Sequence, residues 1–329
     1  MKTALAAFFP SLVLSYLLTP LALRLATRFN VVDHPDERRV HDRPTPRWGG
    51  LAIYVAFVVA VVLVVLVHPR VGFDPPVVGV LLGGTVVAIF GFLDDKYDFS
   101  ALIQIAAICA GGLVLIAYGS KIAYISNPFG HGITLHWLSI PVTLLWIFGV
   151  TKAVDLMDGL DGLAAGICAI ASLTLLLMTF RSVDVAWAAQ HTGLVRSFVT
   201  VRILSGALLG ASLGFLRFNY PPAKIFMGTI GAQFMGFVIS SAAVIGAFKV
   251  AALVAIAVPL LVLAVPILDA AFVVVMRALG GRRVYEADKS HVHHRLLDRG
   301  LSLGQTIWVI YLLTAILSAV GLVLFWYVR

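Results

Sequence analysis

Apolar runs about twenty residues long recur from one end of this sequence to the other, and that length matches the hydrocarbon thickness a helix must cross. Hydrophobic residues make up 60% of the 329-residue chain, charged residues only 12%, and mean hydropathy is +1.00. A water-soluble domain needs more polar surface than this; a polytopic membrane protein does not. At ~17–25 residues per span, the pattern predicts about ten helices, over roughly 4–23, 50–67, 77–93, 101–119, 138–153, 162–180, 200–216, 228–247, 251–276 and 305–327. The first run is too long for a signal-peptide core and has no cleavage site, so it is expected to be a span. Cys109 and Cys168 both lie inside apolar runs and are expected to pack rather than to form a disulfide. No internal repeat, low-complexity tract or soluble domain is visible. The expected fold is one all-α integral membrane domain over 1–329, with both termini outside and a cleft facing the cytoplasm.

The charges divide between the two sides of such a bundle. Sixteen of the 24 Lys and Arg fall in loops on one side, which the positive-inside rule makes cytoplasmic. A net charge of +8 made of such short loops signals orientation in a lipid bilayer, not a nucleic-acid partner. Fourteen of the 16 acids, with Asp269 counted near the inner end of its helix, fall on that same side. Orientation requires no acids there, so a second cause is needed. An active site at the cytoplasmic face of a multi-pass inner-membrane protein supplies it.

Several constellations on that side could carry chemistry. Asp155, Asp158 and Asp161 stand three apart in KAVDLMDGLDGLAAG, a spacing that would give a like-charged stripe on a helix. Gly159 and Gly162 would let the backbone turn there or a ligand approach. Asp94, Asp95 and Asp98 end the third span in FGFLDDKYDFS, and adjacent carboxylates beside lipid require a counter-charge. His291, His293 and His294 in SHVHHRLLDRG lie among cations; they suit recognition of an anionic diphosphate better than a zinc site. Two Pro-stiffened loops, HDRPTPRWGG and RFNYPPAKIFMG, offer Arg43, Arg47 and Lys224 to phosphate. Asp269 lies about two turns inside its span, where it would pair with a base or face water.

Taken together, VHDRPTPRWGGLAIY, GFLDDKYD, DLMDGLDGLAAG, FNYPPAKIFMG and SHVHHRLLDRG resemble, in order, the motifs of the polyprenyl-phosphate N-acetylhexosamine-1-phosphate transferases. The His-x-His-His run resembles the branch that primes teichoic-acid and O-antigen type glycans more than the branch making peptidoglycan lipid I. The resemblance implies transfer of a sugar 1-phosphate, most simply GlcNAc-1-phosphate, from a UDP-N-acetylhexosamine to polyprenyl phosphate, with release of UMP. It implies Mg2+ or Mn2+ and a bundle of ten or eleven helices with a cytoplasmic cleft; a homodimer stays open. By motif, Asp94 and Asp95 match acids near the attacking lipid phosphate, and Asp158 and Asp161 match acids of the nucleotide and metal region. Arg43, Arg47, Lys152, Asn219, Lys224, His291, His293, His294 and Arg295 fall on the substrate side, and Asp95, Asp155 and Asp158 on the metal.

The chain departs from the family pattern in three places. Lys152 and Asp155 stand where the family carries Asn, and Thr229 stands where it carries a metal-associated acid. The helix after the Asp pair, SALIQ, lacks the usual basic residue. One carboxylate is lost at 229 and one gained at 155, so Asp155 is expected to take over the metal contact, with Lys152 touching a phosphate or balancing the added acid. Competing expectations are a degenerate paralogue, a scaffold that recruits other enzymes, and a transporter or flippase for a polyprenyl-linked or anionic solute. A transporter would more typically place its charges at mid-membrane in paired halves.

Overall fold

The computed structural model describes residues 2–33, 44–68, 72–125, 133–188, 192–247, 260–261, 263–279 and 292–327. Arg43, His291 and the first part of the predicted 251–276 span lie outside the described residues. Eleven helices order the described chain: α1 (Lys2–Arg28), α2 (Gly49–Val67), α3 (Pro75–Tyr97), α4 (Ala101–Ala117), α5 (Ser139–Met157), α6 (Leu163–Ala188), α7 (Thr192–Asn219), α8 (Gly228–Ala247), α9 (Ala264–Leu279), α10 (Val292–Asp298) and α11 (Leu303–Tyr327). Eight of the described helices are long and apolar enough to cross a membrane, while the apolar stretches of α4 and α9 are shorter, Ala101–Ala117 and Ala264–Met276. A described helix therefore overlaps every predicted span, the 251–276 span only in its second part. α6 and α7 run well past the apolar windows that predicted them. Hydropathy falls at Arg181, Asp184 and Arg196, but nothing in those residues stops a helical backbone.

Small residues decide how closely these helices approach. Along α1 the buried positions are Ala4, Ala7, Ser11, Ser15, Thr19, Ala22 and Ala26, a stripe at three- and four-residue spacing. α7 answers with Gly206, Gly210 and Gly214, one every fourth residue. A Cβ on Gly210 would strike the Phe8 carbonyl, and one on Gly214 would strike the Leu12 carbonyl. The backbones thus touch, and Ser15 Oγ donates to the Ala211 carbonyl at 2.8 Å across the contact. α8 runs through the centre, packed against α2, α3, α5, α6 and α7. Phe234 and Phe237 on α8 and Phe57 on α2 are fully buried in that core. Cys109 and Cys168 are free thiols, and Cys168 is buried, as their apolar surroundings predict.

Alternate helix ends meet at one end of the bundle, and short connections lock them there. Val32–Asp33 pairs antiparallel with Thr45–Pro46, Val32 opposite Pro46 and Asp33 opposite Thr45. The 225–227 segment is then stitched onto the start of α2. Phe226 N–H donates to the Pro46 carbonyl at 2.8 Å, Gly49 N–H to Phe226 at 2.9 Å, and Gly50 N–H to Met227 at 2.8 Å. The two Pro-stiffened loops are in this way one backbone-bonded unit.

Candidate functional site

At that end lies a cavity of about 360 Å3, lined among the described residues by Asp33, Arg47, Asp95, Asp155, Asp158, Gly159, Leu160, Asp161, Asn219, Phe226, Gly228, Thr229, His294 and Leu303. Five lining residues are aspartates, contributed from three separate stretches of chain. Low dielectric on the membrane side strengthens their mutual repulsion, and all but Asp158 are held by a specific partner.

Asp94 and Asp95 end α3 and are both buried, but they point to different partners. Asp95 accepts from the first amides of α8, Thr229 N–H at 2.7 Å and Ile230 N–H at 3.4 Å. The helix dipole and those unpaired amides stabilise its charge. Gly228, φ +69°, makes this possible: a Cβ there would collide with the Asp95 carboxylate and the Arg47 carbonyl. Asp94 turns away from the cavity lining and accepts from Phe99 N–H at 2.9 Å and from Gln104 Nε2. Arg47 is clamped by Asp33 and lies 3.7 Å from the exposed Asp98, so its guanidinium is held in place at the cavity wall.

The DLMDGLDG stretch does not form the continuous helical stripe its spacing suggests. Asp155 sits in the last turn of α5, Asp158 caps it with its N–H donating to the Asp155 carbonyl at 3.2 Å, and Gly159–Gly162 then turn into α6. The three acids nevertheless all face one cavity. Asp155 Oδ2 pairs with Lys152 and accepts from Gln233 Nε2 at 3.4 Å. Asp158 has no hydrogen-bond partner among the described residues, and burial together with the nearby Asp155, Asp95 and Asp161 charges pushes its carboxyl well above the usual range. Asp161 accepts from Ala223 N–H at 2.8 Å, tying this turn to the 218–227 loop. Asn219 completes that tie: Gly162 N–H donates to its Oδ1 at 3.0 Å and its Nδ2 donates to the Ile225 carbonyl at 2.9 Å. Both ends of its amide are thus committed to the wall.

The histidine helix arrives from the other flank. Buried Asp269 on α9 accepts from Val292 N–H at 2.7 Å, which fixes the start of α10. His293, buried, rests its ring beside Gly159, and His294 reaches the cavity. Arg295 instead lies over the Phe272 ring at 4.9 Å, and Lys224 is exposed. Of the described residues expected at the site, Arg47, Asp95, Asp155, Asp158, Asp161, Asn219 and His294 therefore line the cavity. Asp94, Lys152 and His293 stand behind that lining, and Lys224 and Arg295 do not contribute to it. Sequence reasoning missed Asp33 and Gln104. The four residues before the 34–43 stretch held no motif, and Gln104 carries no charge to attract notice.

The donor set suits a hard divalent cation. It consists of carboxylates: Asp158 and Asp155 both line the cavity, and Asp158 and the Oδ1 of Asp155 have no hydrogen-bond partner among the described residues. No three His, Cys, Asp or Glu side chains among the described residues converge as a closed metal site. Mg2+ commonly takes one or two carboxylates and fills its remaining positions with water and substrate phosphate, so an open, acid-lined cavity is the arrangement it would use. Asp155 and Thr229 both line this same cavity.

Comparison with known proteins gives a consistent likeness. The model of glycosyl transferase family 4 matches residues 77–247. The chain is 36% identical over 319 residues to the probable undecaprenyl-phosphate N-acetylglucosaminyl 1-phosphate transferase of Bacillus subtilis (strain 168), covering 97% of this chain and 84% of that protein. It is 33% identical to the decaprenyl-phosphate N-acetylglucosaminephosphotransferase of Mycobacterium leprae (strain TN), covering 93% and 80%. Likeness to the phospho-N-acetylmuramoyl-pentapeptide-transferase of Desulforudis audaxviator (strain MP104C) is lower, 30% identity over 96% of each chain.

Proposed function

The chain belongs to glycosyl transferase family 4, and on that premise we propose that it transfers N-acetylglucosamine 1-phosphate from a UDP-sugar to polyprenyl phosphate at the cytoplasmic face of the cell membrane. One phosphate oxygen of the lipid attacks the sugar-bearing phosphorus of the donor. A new P–O–P linkage forms, the old one breaks, and UMP leaves. The observation that carries this reading is the cavity itself, which sets five carboxylates against the single guanidinium of Arg47 among its described lining. Such a wall repels phosphates unless a cation joins them, and phosphoryl transfer is chiefly charge neutralisation and in-line positioning.

Each residue then has a task. Arg47, fixed by Asp33, supplies a planar pair of donors for a phosphate. Asp95, bonded to the first amides of α8, is held in one orientation at the wall. His294 donates to the diphosphate of the leaving nucleotide. Asp158 and Asp155 would hold Mg2+ or Mn2+, which when bound supplies the counter-charge to the phosphates. The attacking phosphate monoester loses its second proton near pH 6, so it needs little help from a strong base. The gathering of charge at one end of the bundle, rather than at its middle, argues against a transporter, as does the family.

The test is direct. Purified protein in lipid nanodiscs, given UDP-GlcNAc, polyprenyl phosphate and Mg2+, should release UMP and form the lipid-linked sugar diphosphate. UDP-GalNAc and UDP-MurNAc-pentapeptide should serve poorly, and Asp158→Asn should cut turnover by about 100-fold or more, the scale of a lost charge-stabilising group. Release of UMP without lipid product, or an unchanged rate in Asp158→Asn, would contradict the proposal.

A further inference from the structure

Beside the cavity, a line of side-chain hydrogen bonds joins Asp94, behind the lining, to Asp155, on it, through a residue that the transfer chemistry leaves unused. Gln104, near the start of α4, donates from Nε2 to both carboxylate oxygens of Asp94, at 3.0 and 3.1 Å. Its Oε1 accepts from Lys152 Nζ at 2.9 Å. Lys152 in turn pairs with Asp155 Oδ2. A neutral amide serves both ends at once, as a donor to a carboxylate and an acceptor from an ammonium. A carboxylate in its place would repel Asp94, and an ammonium would repel Lys152.

We propose that Gln104 is a positioning residue: by anchoring Lys152 on the Asp94 side, it keeps the ammonium out of the cavity and leaves Asp155 Oδ1 open to a cation, while its other end orients Asp94. This rests on the transferase reading for its purpose, but the anchoring can be measured without turnover. Lys152 is absent from the cavity lining although it pairs with a residue that lines it. Four flexible methylenes would otherwise let the ammonium swing toward the other four carboxylates of the lining. A cation lodged there would compete directly with a divalent ion. Groups that orient a ligand commonly govern affinity in this way, and Gln104 acts on Asp155 through Lys152.

The experiment uses the full chain in nanodiscs, with Mn2+ binding to the cation-free protein read by electron paramagnetic resonance alongside kcat and KM for UMP release. Gln104→Leu releases Lys152 and should weaken Mn2+ binding by about 10-fold or more, with kcat falling further than KM rises. In a Lys152→Met background the same substitution should weaken Mn2+ binding clearly less, because the contact it removes is already gone. Gln104→Glu keeps the size and the bond to Lys152 but sets a carboxylate against Asp94. It should lower kcat while leaving Mn2+ affinity near that of the unaltered protein, and it serves as the second variant if Gln104→Leu does not fold. Unchanged Mn2+ affinity in Gln104→Leu, equal losses in both backgrounds, or unchanged kcat in Gln104→Glu would each overturn the positioning role. An unaltered protein that releases no UMP would overturn the transferase reading instead, and the Mn2+ measurements would still decide the role of Gln104.

Discussion

Asp158 shows what a functional side chain costs the fold that carries it. It is the cavity carboxylate with no hydrogen-bond partner among the described residues, and burial and three neighbouring acids favour its neutral form. In the unfolded chain the same group ionises near pH 3.9. As pH rises above that value the unfolded state loses its proton while the folded state keeps one, so folded stability of the cation-free protein falls. Asp158→Asn removes this titration without changing shape. The substitution should therefore raise the Tm of protein kept in chelator at pH 7, with the gain shrinking as pH approaches 4, as differential scanning fluorimetry would show. A Tm unchanged or lowered at pH 7 would contradict it. The sequence disclosed Asp158 as an acid beside Gly159, but not that it stands without a partner while Asp155 and Asp161 are tied down. Those ties come from Lys152, Gln233 and Ala223, the last two more than sixty residues away along the chain. The division of labour between Asp94 and Asp95 was hidden for the same reason, since it depends on where α8 begins.

At the scale of elements, hydropathy made nearly every helix legible, because a lipid-facing segment must be apolar over its whole crossing. What it could not place was how helices pair, since lipid tails are as apolar as the contacts between helices. The Gly206, Gly210 and Gly214 stripe carried that information at four-residue spacing, but its partner on α1 is a run of Ala, Ser and Thr with no charge or aromatic to mark it. The Val32–Asp33 and Thr45–Pro46 hairpin escaped as well, because two-residue strands leave no periodic pattern. The α1–α7 contact gives a prediction. Gly210→Leu drives a side chain into the Phe8 carbonyl and the Leu12 amide. It should cost about 1–3 kcal/mol of stability, the usual range for overpacking. Thermal unfolding would check it, with a loss well above that of a lipid-facing control such as Leu213→Ala, since Leu213 is exposed. Equal losses in the two variants would mean that α7 does not seat on α1 through this stripe.

Across the whole molecule, residues as far apart in sequence as Asp33 and His294 meet because each helix end that carries chemistry is the end nearest its neighbour's. An up-and-down bundle places the ends of α1, α3, α5 and α7 with the starts of α2, α4, α6, α8 and α11, and the acids and bases of the cavity sit there. The sequence anticipated this gathering from charge alone, before any contact was known. A transferase whose two substrates are a soluble nucleotide and a lipid phosphate needs this layout, because its reacting phosphates can meet only at the membrane surface. Sidedness therefore decides the matter. Asp98, whose side chain is 88% exposed, and the exposed Arg295 flank the site from α3 and α10. Single cysteines at these two positions, in chains whose Cys109 and Cys168 are replaced by alanine, should both react with a membrane-impermeant maleimide from the cytoplasmic face of oriented vesicles, and from that face only. Labelling of the two positions from opposite faces would mean that no common cavity exists.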